Sequence, residues 1–149
     1  MNRMDTMFQD VDAFDHDEQA LFSALDTALQ DGLASPTGRS AYHRAMAALD
    51  QLVEDREERL YSPLAADPLT RDYISRLDGQ IHGVSGRIDI LRTHIELGLM
   101  SASENHADLD ASLLRLVRQL RARFRREAVL IPVYAGWLDR SANLTEAAL

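Results

Sequence analysis

Glutamate and histidine recur at matched places in the two halves of this chain. Glu58 stands five residues before Pro63, and Glu127 five residues before Pro132, in the segments EDREERLYSPL (54–64) and RFRREAVLIPV (123–133). Each half also carries a histidine on an earlier periodic stretch, His16 in FDHDEQALFSAL and His82 in QIHGVSGRIDIL. Imidazole and carboxylate groups that converge on one interior point are what iron and its neighbours require as ligands. A different chemistry attaches to His82 through Arg87. A solvent-facing imidazole with small neighbours can accept a phosphoryl group in line, Gly86 one turn on leaves room for the donor, and Arg87 can pair with phosphate oxygens. A third feature is Arg115, Arg118, Arg121, Arg123, Arg125 and Arg126 on one stretch, a positive face able to steer an acidic partner.

What must position these groups is a set of four periodic stretches. Gly32, Ser35-Pro36, Ser62-Pro63, Asp67-Pro68, Gly98 and Ser101 punctuate the chain. Between them apolar residues recur at helical spacing, which predicts helices over about 5–31, 36–61, 68–97 and 102–131, with about 138 as the alternative end of the last. Their stripes are Phe8, Val11, Phe14, Leu21, Leu25 and Ala28; Tyr42, Ala45, Leu49, Leu52, Val53 and Leu60; Ile74, Leu77, Ile81, Val84, Ile88, Leu91 and Ile95; and Leu109, Leu113, Val117, Leu120, Phe124 and Ile131. Ser35 and Asp67, each followed by proline, are expected N-caps. Ser101 and Glu104 have capping-box spacing, and Gly32 and Gly98 sit where helices would end in left-handed turns. Pro132 is expected to kink or end the last helix. Tyr134 and Trp137 are expected to fold back over one end of the bundle.

No segment alternates with period two, so the expected class is all-α: an antiparallel up-down four-helix bundle. Residues 1–140 form its single domain, and 141–149 a frayed tail. A chain of 149 residues can bury a core without staples. With no cysteine, thiolate metal sites and cysteine nucleophiles are excluded. The net charge of −8 argues against nucleic acid as partner. No apolar run approaches the roughly 20 residues that span a bilayer, which argues against a membrane. The acidic N-terminus is unlike a secretion signal, which predicts a cytoplasmic location. All 16 basic residues are arginine, a composition expected of a GC-rich, bacterial genome. Phosphate-cradling glycine loops, dinucleotide fingerprints and serine–histidine catalysis have no counterpart in the sequence.

A helix with histidine followed by a helix ending in Glu, an apolar pair and Pro, repeated once, resembles the hemerythrin-like family of cation-binding bundles. The resemblance spans nearly the whole chain. It implies a di-iron site inside a four-helix bundle, with ligands from a histidine on the first and third helices and from a His followed four residues later by Glu on the second and fourth. This sequence departs from that pattern. Val53 precedes Glu57 at the histidine position, Ala122, Arg123 and Phe124 fill the matching stretch before Pro132, and Arg126 replaces the first glutamate of its pair. Asp15 and Ile81 take the inward positions beside His16 and His82. The expectation is a degenerate metal site packed by Val53, Ile81 and Phe124. His16, Glu57, Glu58, His82 and Glu127 remain as residual iron candidates, and no cofactor is favoured. Glu54, Asp55, Glu57 and Glu58, interleaved with Arg56 and Arg59, read as a solvated helix face.

The expected function is therefore a non-catalytic, regulatory protein-binding module. Arg115, Arg118, Arg121 and Arg125 would meet an acidic protein partner, and the homo-oligomeric state is open. Two alternatives stand beside it. His82 with Val84 and Gly86 resembles the histidine-phosphotransfer module, another four-helix bundle, which implies a phosphate carrier. A carboxylate-rich di-iron or other metal protein is the second.

Overall fold

The computed structural model describes residues 3–101 and 106–148, with side chains described for 13–101 and 106–143. It is all-helical, with no strand among the described residues. Four long helices dominate: α1 (Arg3–Asp31), α2 (Pro36–Arg56), α4 (Arg71–Met100) and α5 (His106–Glu127). Two shorter ones extend them, α3 (Ser62–Ala66) after α2 and α6 (Leu130–Ala148) after α5. No helix among the described residues is long and apolar enough to cross a membrane.

The joint between α1 and α2 forms as its residue types dictate. Gly32 has φ +78°, a left-handed conformation that costs glycine nothing. Ser35 Oγ accepts the Gly38 N–H at 2.9 Å, and Pro36 opens the helix. Asp110 of α5 reaches across to accept the Leu33 N–H at 2.9 Å, tying this corner to a distant helix.

The chain departs from the expected punctuation at four places. Ser62-Pro63 does not end the second helix. The residues Glu57–Tyr61 form a π-helical turn, and the helix continues through Pro63 to Ala66. A proline ring inside a helix collides with the carbonyl four residues back, here that of Arg59. The wider turn immediately before it relieves that contact. Asp67 is not an N-cap with Pro68 at the first helical position. Its backbone is extended, its carboxylate accepts the Leu69 N–H, and Thr70 stands at the start of α4. Gly98 stays helical, and α4 ends at Met100 with Ser101 extended. The last long helix ends at Glu127 and restarts at Leu130, so Pro132 lies in the first turn of α6, where its missing N–H leaves no bond unmade. Glu104 of the expected capping box, and the side chains of Phe8 and Val11, lie outside the described residues. Helix α6 runs to Ala148, through the segment expected to fray.

Most residues of the predicted stripes are buried, while Val53, Leu91 and Ile131 are half-buried. One cluster gathers Leu21, Leu25, Tyr42, Leu49, Ile88, Leu113, Leu120 and Phe124, among others. A second gathers Phe14, Leu60, Tyr61, Leu64, Ile74, Ile81, Leu130 and Tyr134. Tyr134 stacks on Trp137 and meets Phe14 edge to face, so α6 closes the second cluster.

Candidate functional site

The two apolar clusters meet at a charged residue. Arg56, the last residue of α2, is only 6% exposed, and Glu127, the last residue of α5, only 4%. Arg56 Nη1 donates to Glu127 Oε2 at 2.8 Å, and Nη2 donates to Glu18 Oε1 at 2.6 Å and to the Phe14 carbonyl at 3.3 Å. Arg123 Nε donates to the other oxygen of Glu127 at 2.9 Å. The Arg56 guanidinium lies over Phe14 of one cluster and Phe124 of the other, 5.7 and 5.0 Å from the ring centroids. Charge-assisted bonds and two aromatic faces thus hold a cation in the interior. Burial opposes the charge on Arg56, but Glu18 and Glu127 more than offset it and hold the guanidinium above its ordinary range.

The π turn serves this cluster. It turns two consecutive residues, Leu60 and Tyr61, inward. The Tyr61 hydroxyl is buried close to Glu127. Burial, and the nearby Glu127 charge after it, push its ionisation far above the usual tyrosine range. A cavity of about 280 Å³ opens beside the cluster, walled by Phe14, Glu18, Arg56, Tyr61, Glu127 and Leu130 among others.

The residues singled out for metal do not come together. His16, Glu57, Glu58 and His82 are exposed on α1, the π turn and α4, while Glu127 is buried between two arginines. Among the described residues no group of three or more His, Asp or Glu could hold a metal ion. Ile81 and Phe124 are buried and Val53 is half-buried. The interior at this level nevertheless carries ions as well as hydrocarbon. Arg56, expected on a solvated face, points inward instead. It lies one turn beyond Leu52 and one before Leu60, and Glu127 lies one turn beyond Phe124. Two opposite charges on two apolar stripes were the signal that would have found the pair.

Four of the six α5 arginines divide between two faces, while Arg123 bonds Glu127 and Arg126 donates to the Gln80 carbonyl. Arg115 and Arg118 join Arg87 of α4 around Ile90 and Leu91 in a groove of about 450 Å³. Arg87 Nε donates to Gln119 at 3.1 Å. Arg121 and Arg125 turn toward α1, and the Arg121 guanidinium sits 4.3 Å above the Phe22 ring. On the opposite side of α4, Glu54, Glu57, Glu58 and Asp89 border a cleft of about 750 Å³. Its other acid, Asp50, is bound to Arg92 by two hydrogen bonds of 2.7 and 2.9 Å.

With this geometry established, the chain was compared with models of known families, with curated proteins and with solved structures, and it matches none of them.

Proposed function

We propose that the chain is a non-catalytic, antiparallel four-helix bundle of hemerythrin-like arrangement, whose work is to dock another protein. The arrangement is supported by short joints between long helices, which favour antiparallel neighbours. The observation that carries the non-catalytic reading is the Arg56–Glu127 pair. A buried guanidinium bonded to Glu18 and to Glu127, the one buried member of the residual ligand candidates, occupies the interior, where it takes up that carboxylate. The docking reading rests on the groove beside α5. Arg115 and Arg118 make no ion pair with the described residues and flank an exposed isoleucine, a layout that suits a partner with an apolar anchor set among acidic side chains.

The test has two arms. Elemental analysis of protein expressed with iron supplied is expected to find far less than one metal per chain, and two per chain would end this reading. A synthetic amphipathic helix with leucines flanked by glutamates is expected to bind, and Arg115→Glu with Arg118→Glu to weaken it at least tenfold.

A second reading keeps His82 as a phosphate carrier, favoured by its exposure on α4 and by the open space at Gly86, where an added Cβ would meet nothing within 4 Å. Incubation with a phosphorylated receiver domain would then label the chain, and His82→Ala would abolish the label.

A further inference from the structure

Helix α4 presents an outward seam that no described residue covers. Gly79, Gly83, Gly86, Ile90, Thr93, Leu97 and Met100 follow one another at alternating steps of four and three, and every one is exposed. Ile90, Leu97 and Met100 are 71%, 63% and 84% exposed. This is the spacing at which two helices pair as a coiled coil. It lies opposite the face of α4 that the bundle core uses, where Ile81, Ile88 and Ile95 are buried.

The glycines sharpen the point. Glycine inside a helix is destabilising relative to alanine, and a close neighbour usually explains it. Here an added Cβ at Gly79 or Gly86 would meet nothing within 4 Å, and at Gly83 only the end of the Arg87 side chain at 3.9 Å. Nothing among the described residues requires them. Three small residues on a seam let a second backbone approach closely.

The flanks of the seam say what that second helix is. One flank carries Gln80, Arg87 and His94 and continues onto α5 with Arg115 and Arg118. The other carries His82, Asp89 and Glu96, and Asp89 borders the cleft that holds Glu54 and Glu57. The seam therefore runs between a basic side and an acidic side. When two copies of one helix pair in parallel, each flank meets the opposite flank of its partner; when they pair antiparallel, each flank meets its own kind. Parallel pairing sets basic against acidic on both sides, and antiparallel pairing sets like against like.

We propose that the occupant of this seam is a second copy of the chain, joined through parallel α4 helices about a twofold axis. The assignment deepens the docking reading above and rests on it, since the acidic partner of the Arg87, Arg115 and Arg118 side is the opposite flank of another copy.

Sedimentation velocity on the full chain at rising concentration is expected to show a dimer, weakened by salt and by Arg115→Glu with Arg118→Glu. Ile90→Asp with Leu97→Asp should yield a monomer with unchanged far-ultraviolet circular dichroism, because both side chains stand outside the core. The absence of native cysteine gives a direct test of direction. Ile90→Cys and Leu97→Cys, made separately, should each oxidise to a disulfide-linked dimer, which only a parallel pair allows at both positions. A wild-type chain that stays monomeric, or a dimer that survives the double aspartate variant, overturns the proposal. A monomer that still binds the acidic helix peptide through Arg115 and Arg118 removes the self-pairing alone and leaves the docking reading standing.

Discussion

Arg56 and Glu127, 71 positions apart in the chain, meet at 2.8 Å in the interior, each closing its own long helix. The contact joins α2 to α5, Glu18 brings in α1, and the Phe14 and Phe124 rings under the guanidinium belong to different apolar clusters. One side chain thus fastens three helices where two hydrophobic groups would otherwise abut. Desolvating such ions is costly, so the pair is not simply added stability. Its asymmetry is what matters, because losing either partner leaves the other charge buried with one counter-ion fewer, Arg56 with Glu18 alone and Glu127 with Arg123 alone.

The first prediction follows from that asymmetry. Arg56→Met or Glu127→Gln alone should lower unfolding stability by about 3–5 kcal/mol, the range for breaking a buried pair. The double variant Arg56→Met with Glu127→Leu should lose less than the two single losses summed, since neither charge of the pair then faces an apolar replacement, although Glu18 and Arg123 each lose a partner. Urea denaturation of the three variants measures this. Additive losses in the double variant would mean that the two residues act independently.

Two glycines should respond in opposite directions. A Cβ at Gly38 would lie 1.8 Å from the Gly32 carbonyl oxygen, a backbone atom that cannot step aside without moving the end of α1. Gly38→Ala should therefore cost about 1–3 kcal/mol or more, as overpacking does. Gly86 is helical and open, so Gly86→Ala, measured where the chain is monomeric, should gain up to about 1 kcal/mol from helix propensity. Thermal melts of both variants give the signs, and a stabilised Gly38→Ala would contradict the close approach of α1 and α2.

These residues also mark how far the sequence carries. The stripe of Ile74, Leu77, Ile81, Val84, Ile88, Leu91 and Ile95 was legible because seven apolar side chains at helical spacing have one good solution, and all but the half-buried Leu91 are buried. The Gly32–Ser35 joint was legible because its residue types demand their conformations. Pro63 misled because proline signals a helix end only when the preceding turn cannot widen, and here the π turn of Glu57–Tyr61 does widen. Arg56 was read as surface because charge outweighed position, although Leu52 and Leu60 on either side already set its direction. Tyr61 faces inward through the same π turn, which no periodicity announces. The seam on α4 hid behind the stronger core stripe on the opposite face of the same helix.

Asp50 and Arg92 offer a contrast to the buried pair. The Asp50 side chain is 63% exposed, yet two hydrogen bonds to Arg92 hold its carboxyl below the usual range, against a smaller opposing effect of burial. Its folded-state affinity for a proton is depressed, so its contribution is present above the ordinary carboxylate value and fades as pH falls through the folded one. An exposed pair is worth at most about 1 kcal/mol. Asp50→Asn should therefore lose no more than that at neutral pH, and the difference from wild type should vanish in acid and shrink in high salt. A difference that grows on acidification would reverse the assignment.

Alkaline titration should read the two buried phenols. Tyr42 and Tyr61 are two of the four tyrosines, and both hydroxyls are buried, that of Tyr42 without a hydrogen-bond partner among the described residues. Burial raises both ionisations well above the ordinary value of about 10, and a neighbouring carboxylate, Glu96 for Tyr42 and Glu127 for Tyr61, raises each further. The native state keeps these protons at a pH where the unfolded chain has released them. Above about pH 10 the unfolded state thus binds fewer protons, and stability must fall as pH rises. Tyrosinate absorbance should show these two phenols silent through the ordinary range and then appearing together with loss of the helical circular dichroism signal. Tyr61→Phe removes one such group with little change of shape, so it should flatten the alkaline decline while lowering neutral stability by no more than about 1.5 kcal/mol, the range of one hydrogen bond. A Tyr61 that ionises in the folded state near pH 10 would mean that its hydroxyl reaches water, and the enclosed arrangement of Tyr61 beside Glu127 would have to be abandoned.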